Sequence, residues 1–320
     1  MVESARITVM RITGVLLALL LPGLMSAEIK IGLIGLDTSH VIAFTKLLND
    51  PKNPDHVPGA RVVAGYKGGS PDIESSRTRI DGFTAELRDK WGVEIVDDIE
   101  TLCSKVDAVL LESVDGRKHL AQVKPVFAAG KPVFIDKPLA ASLADAEEIA
   151  RLAKKHDVAW WSASSLRYSP AVEEVKVAGL TGAISWGPGP IEPTHELDLS
   201  WYGIHPVELL YSVMGPGCVR LRRNYTGGAD VIVGDWSDGR MGTVRTIRDG
   251  KRGYGIVAFG DEVKVSQNAS GSYRDLLLRV VKFFEDGKPP VPNAETLEIF
   301  RFMQAALESK QNGGKVVELR

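Results

Sequence analysis

The chain has 320 residues, 44% hydrophobic and 25% charged, enough apolar material for two cores. Its 39 basic and 41 acidic side chains leave a formal charge of −2, which excludes the strongly basic surface that a phosphate-backbone partner requires. The two cysteines, Cys103 and Cys218, are too few for a disulfide framework.

Arg6 and Arg11 precede the apolar run Val15–Leu21, followed by Pro22-Gly23 and the small pair Ser26-Ala27. This is the layout of a signal peptide over residues 1–27, and the expected product is exported, periplasmic or secreted, beginning near Glu28. The run is far shorter than the roughly 20 residues that cross a bilayer, so no membrane span is expected in the mature protein. No Arg-Arg pair stands before it, which favours export of the unfolded chain.

From residue 28 to 165 apolar runs alternate with helical patterns, the signature of βαβ units. Strands are expected near 29–35, 61–66, 107–112, 132–136 and 158–163, and helices near 40–49, 75–91, 118–129 and 142–156. The implied domain is a Rossmann-type parallel sheet. From 166 to 320 the pattern changes to strands of mixed face at 181–186, 229–236, 241–248, 252–259, 261–267 and 315–319, with helices near 170–179, 272–286 and 293–309. These predict an α+β domain built on a mainly antiparallel sheet. The fold class is therefore α/β with a second α+β domain.

The turn after the first strand reads Gly35-Leu36-Asp37-Thr38-Ser39-His40. A dinucleotide fold normally has Gly-x-Gly-x-x-Gly here, and only the first glycine is present. Asp37 puts a carboxylate where phosphate is expected, and like charges about 4 Å apart repel. Two readings remain open. Either Asp37 turns outward as a helix cap while Thr38, Ser39 and the opening amides bind an anion, or Asp37 and His40 bind a sugar hydroxyl. After the second strand, Lys67-Gly68-Gly69-Ser70 replaces the carboxylate that usually reads the ribose hydroxyl. It suits either a 2′-phosphate or a plain glycine-rich loop.

Val133–Ile135 runs into Asp136-Lys137-Pro138, placing an ammonium at the carboxyl end of a parallel strand, where ligands of open α/β sheets bind. Further on, Gly203-Ile204-His205-Pro206 precedes Val207, Leu210, Tyr211 and Met214 on one helical face, with Gly215 as terminator. His205 then sits at the helix N-terminus, where the macrodipole disfavours imidazolium and keeps a neutral base. Trp186, Trp201 and Trp236 are either a sugar-stacking wall or core. His195, Glu196 and His205 lack a helical metal-ligand spacing, and no metal site is expected.

These ordered motifs, with His119, Phe283–Val291 and the Gly313–Val317 finish, resemble the Gfo/Idh/MocA family, whose Glu-Lys-Pro signature appears as Asp136-Lys137-Pro138. The resemblance implies an NAD- or NADP-dependent oxidoreductase acting on a sugar or cyclitol. It assigns Lys137 and His205 to catalysis, and Gly35, Leu36, Asp37, Thr38, Ser39, Lys67, Ser113 and Lys137 to the cofactor. It also implies an open-faced C-terminal sheet through which subunits pair into a homo-oligomer. The family aspartate four residues before the catalytic histidine is Trp201 here, while Asp198 and Glu208 lie nearby in sequence; the Glu112–Lys118 loop also departs from the family wording. A glycosidase or lyase using tightly bound NAD for transient oxidation, or a non-catalytic carbohydrate-binding protein, are the alternatives.

Overall fold

The computed structural model describes residue 1 and residues 27–319, so residues 2–26 of the expected signal peptide lie outside the described residues. The first sheet holds β1 (Ile29–Ile34), β2 (Ala60–Tyr66), β3 (Glu94–Val96), β4 (Ala108–Leu111), β5 (Val133–Ile135) and β6 (Trp160–Trp161). Their order is β3-β2-β1-β4-β5-β6, all parallel. Every residue of β4 is buried, as befits a strand covered on both faces. The order reverses between β1 and β4, the switch point at which such sheets open a crevice beyond their carboxyl ends.

One face of this sheet is covered by α4 (Ile99–Lys105), α5 (His119–Ala128) and α6 (Leu143–His156), packed on Ile34, Val109 and Leu111. The other face carries α1 (Ser39–Asn49), and the helical stretch expected near 75–91 is broken into α2 (Glu74–Arg77) and α3 (Ile80–Trp91). The break follows from side chains competing with the helix backbone: Ser76 Oγ accepts from Ser70 N, and Arg79 Nε turns back to the Ser75 carbonyl. The rest of that face is covered by α9 (Tyr273–Asp286), which returns from far down the chain to set Leu277, Val280 and Phe283 against Phe44 and Trp161.

The second sheet contains β7 (Gly182–Pro188), β8 (Cys218–Tyr225), β9 (Ala229–Trp236), β10 (Met241–Ile247), β11 (Gly255–Phe259), β12 (Val263–Ser266) and β13 (Val317–Glu318), in the order β12-β11-β7-β10-β9-β8-β13. It is antiparallel except for the parallel β7–β10 pair. Strand β8 is not expected from sequence because Arg220, Arg222 and Arg223 interrupt its apolar alternation. Arg223 is nevertheless buried, its guanidinium held by Asp198 at 2.8 Å and Asp230 at 2.9 Å. One face is covered by α8 (Ile204–Met214) and α10 (Asn293–Gln311), with α7 (Pro170–Glu174) beside them. On the opposite face Ile184, Trp186, Val231, Val233 and Val257 remain half-buried. Cys103 and Cys218 are buried and free.

Candidate functional site

A cavity of about 440 Å³ lies beyond the carboxyl ends of the first sheet, where the start of α8 meets it. Thr38, Ser39 and His40 enter it from the start of α1, Asp136 and Lys137 from the end of β5, and His205 from the first turn of α8. Trp201, Tyr202, Tyr254 and Tyr273 supply aromatic walls.

His205 is the second residue of α8, behind Gly203, and is not a side-chain cap. Its Nδ1 lies 2.7 Å from Ser164 Oγ, and the rings of Tyr202 and Tyr254 stand edge-on, each with centroids 5.7 Å away. Burial, and then the Lys137 ammonium, hold its imidazole well below the ordinary histidine range, so it is neutral at pH 7. In the tautomer whose Nδ1–H donates to Ser164, Nε2 is left as an acceptor. Gly215 ends the helix at φ 66°, as the sequence predicts.

At the floor of the cavity His40 Nδ1 lies 2.8 Å from Asp136 Oδ2 and 3.8 Å from Glu112 Oε2. Burial raises the Asp136 carboxyl, but His40 and Lys137 outweigh it and bring the group down to about 2. Glu112 is 0% exposed and neither carboxylate oxygen has a hydrogen-bond partner among the described residues. Burial, followed by the neighbouring Asp136 charge, pushes its carboxyl well above the usual range. Lys137 Nζ stands 4.0 Å from Asp136 Oδ2.

Asp37 plays a different part from either reading of the sequence. It is 0% exposed and turned under the loop, accepting from Ser76 Oγ at 2.6 Å and from Val114 N at 2.9 Å. The α1 cap is Thr38, whose side chain accepts from His40 N. Two neighbouring donors satisfy the Asp37 carboxylate, so it neither faces the cavity nor caps the helix.

Of the other expected cofactor residues, Thr38, Ser39 and Lys137 line the cavity, whereas Gly35, Leu36, Lys67 and Ser113 do not. A Cβ on Gly35 would lie 2.4 Å from Ser113 Cα, so the loop after β4 packs directly on this turn, and φ 84° there favours glycine. Leu36 is core, and Lys67 is paired with Asp81 at 2.6 Å. Ser113 donates to Gln122 at 2.8 Å. His119 is buried between the carbonyl oxygens of Ser113 and Leu139, tying that loop to the segment after β5.

Several acids and aromatics have structural partners instead. Asp198 pairs with Arg223 and Lys310, and Glu208 with Arg167 at 2.8 Å. His195 contacts Asp115 and Ser200, away from His205. Trp236 is core, its Nε1 donating to Gly215 O, and Trp186 packs over Gly255. Trp201 alone of the three expected tryptophans reaches the cavity.

Glu112, Ser75, Arg79, Tyr202, Tyr254 and Tyr273 are among the site residues that the sequence does not single out. Glu112 ends an apolar parallel strand, the same signal that singles out Lys137. Arg79 was hidden in an apparently continuous helix; it lies on the cavity wall and makes no ion pair among the described residues.

Residues 69–164 match the model of the oxidoreductase family with an NAD-binding Rossmann fold, GFO_IDH_MocA. A Salmonella typhimurium protein named as oxidoreductase YceM is 34% identical over 88 residues, and the chain spans 28% of the length of that curated relative, using 28% of its own. Over the whole architecture, the myo-inositol 2-dehydrogenase from Lactobacillus plantarum aligns with a TM-score of 0.71 at 16% identity, covering 92% of this chain and 100% of that one. The myo-inositol dehydrogenase from Lactobacillus casei, solved with NAD(H) and myo-inositol, gives 0.71 at 16%, covering 92% and 97%. At such identities the likeness shows the fold. The family match runs over residues 69–164, from the loop after β2 to just past β6, and the two-sheet architecture is shared with these dehydrogenase structures.

Proposed function

We propose that this chain is an exported NAD(P)-dependent oxidoreductase that exchanges a hydride with a carbon bearing a sugar or cyclitol hydroxyl. The observation that carries the reading is that Lys137 and His205, from opposite halves of the molecule, line one cavity at the carboxyl edge of the parallel sheet. The inositol dehydrogenases that share the fold support the substrate class.

The residues present fit the phosphates of a dinucleotide. The 11-residue helix α1 opens into the cavity, and Ser75 and the Arg79 guanidinium, which makes no ion pair among the described residues, stand on the same wall. Asp37, whose charge would oppose an anion, is turned away into hydrogen bonds. When bound, the nicotinamide supplies the hydride acceptor or donor. Lys137 polarises the reacting oxygen, and His205 Nε2 takes or returns its proton. Proton transfer by such a group contributes about 10²- to 10⁴-fold. Trp201 and Tyr202 offer apolar faces to a sugar ring, while the polar floor holds its hydroxyls.

Calorimetric titration with NAD, NADH, NADP and NADPH tests the cofactor. One nucleotide should bind per chain, with affinity falling about tenfold or more in Arg79→Ala through loss of a charge-assisted hydrogen bond. Absence of binding by all four, and of nucleotide released on denaturation, would overturn the reading. N-terminal sequencing of the exported pool should find a start at or near Glu28; retention of residues 1–20 contradicts export by cleavage. The half-buried apolar side of the second sheet favours pairing of two copies, which sedimentation would register as a mass above that of one chain.

A further inference from the structure

His40, Glu112 and Asp136 converge at the cavity floor from α1, β4 and β5, three neighbouring segments at the carboxyl edge of one sheet. A ligand atom from each lies within 4.8 Å of the others. A first-row divalent ion binds imidazole nitrogen and carboxylate oxygen at about 2.0–2.2 Å, which sets tetrahedral donors about 3.4 Å apart. The observed His40 separations of 2.8 Å to Asp136 and 3.8 Å to Glu112 bracket that value.

An independent observation concerns what this cluster lacks. Glu112 is wholly buried, yet both its oxygens are without a partner among the described residues. Other buried carboxylates in the fold are paired: Asp115 with Arg117, and Asp198 and Asp230 with Arg223. Leaving a buried carboxyl unmatched is costly in either protonation state, because a protonated group still needs an acceptor for its O–H. A cation beside His40 and Asp136 would remove that cost.

The ligands are also held in place. The His40 ring stacks on Phe44 with centroids 5.3 Å apart and meets the edge of Tyr273 at 4.9 Å. Lys137 Nζ, at 4.0 Å from Asp136, is too far to hydrogen-bond, so the His40–Asp136 hydrogen bond at 2.8 Å is the contact of that carboxylate a bound ion would replace. His40 and Asp136 face the cavity while Glu112 lies behind them, so the open side of a bound ion faces the cavity.

We propose that His40, Glu112 and Asp136 form a site for one divalent transition cation, zinc or manganese, whose open positions take a hydroxyl or carboxylate oxygen of the bound small molecule. The site stands on the geometry of these three residues and needs no nucleotide.

The test is metal binding by the whole mature protein after chelator treatment and dialysis, read by elemental mass spectrometry and calorimetric titration with zinc chloride and manganese chloride. One ion should bind per chain, raising the melting temperature. Glu112→Gln and His40→Ala should each weaken binding at least tenfold and abolish the thermal shift. The exposed His156→Ala should leave both unchanged. Failure of the wild-type protein to take up either ion stoichiometrically overturns the proposal, as does uptake that Glu112→Gln leaves intact. If a variant does not fold, wild-type melting against ion concentration decides, with an absent shift counting against the site. None of these readouts involves a nucleotide, so this proposal and the dehydrogenase reading fail separately.

Discussion

Glu112 and Asp115 stand three residues apart on the loop leaving β4, both 0% exposed, in opposite circumstances. Asp115 accepts from Ser70 Oγ at 2.7 Å, from the Arg117 backbone and guanidinium, and lies 3.2 Å from His195 Nε2. Burial alone would raise its carboxyl, but these partners hold it far below the ordinary range. Glu112 has burial and a like-charged neighbour and no donor. A fully matched buried carboxylate ties elements together, here the segment after β2, the loop after β4 and the His195 segment. An unmatched one behind the floor of a cavity is what the cation proposed for this site would match.

Removing the two acids in turn should separate them most sharply. Asp115→Ala should cost about 2–3 kcal/mol of unfolding free energy, since it takes the shared acceptor from Ser70, Arg117 and the buried His195 and leaves the last two only Asp72 and Ser200. Denaturant titration measures it. Glu112→Gln, in metal-free protein, should change stability by less than about 1 kcal/mol or increase it, because no protein partner is lost. Equal losses for the two would erase the distinction.

The pH dependence sharpens the contrast. A carboxyl whose pKa is lowered by folding contributes stability that is complete above its unfolded value, about 3.9, and is lost as pH falls below that. Asp115 belongs to this class, so wild-type stability should fall on acidification below about pH 4, and Asp115→Asn should flatten that limb. His205 gives the kinetic counterpart. In its proposed role as base it acts in the neutral form, and burial holds its pKa well below the ordinary value of about 6.5, so the rate should stay level through neutral pH and decline only in acid. A limb at or above pH 6.5 that His205→Ala removes would contradict the buried placement. A smaller effect is expected at the aromatic wall, where Trp201→Ala should raise KM several-fold with kcat little altered if the indole, which lines the cavity, packs on the sugar ring as proposed.

Much of the parallel half was legible in sequence because its buried strands are unbroken apolar runs separated by helical periods. The strand-end position of Lys137 follows from the same pattern. What escaped has identifiable causes. Strand β3 and helix α4 are short, with too few residues to show a period, although the Asp98 side chain caps α4 from Thr101 N at 2.6 Å. Strand β8 hides a buried arginine whose acid partners come from other segments. Asp37 was misread because Ser76 and Val114 are distant in sequence, 39 and 77 residues away, and only the folded chain brings their donors to it. Glu112 and His40 likewise acquire a shared meaning only where the ends of β4 and β5 meet the start of α1.

If the cavity joining the two halves is a dehydrogenase site worked by Lys137 and His205, as proposed, hydride transfer itself reveals it. The measurement is nicotinamide absorbance during turnover of a panel of sugars, cyclitols and sugar acids with both nucleotides, for wild type, Lys137→Ala, His205→Ala and the double variant. Turnover is expected on at least one polyol, with a loss of about 10²-fold or more in kcat for each single variant and little further loss in the double, as two residues acting on one oxygen require. Near-normal turnover by both folded single variants, or no reduction of either nucleotide by any polyol in the panel, would contradict it.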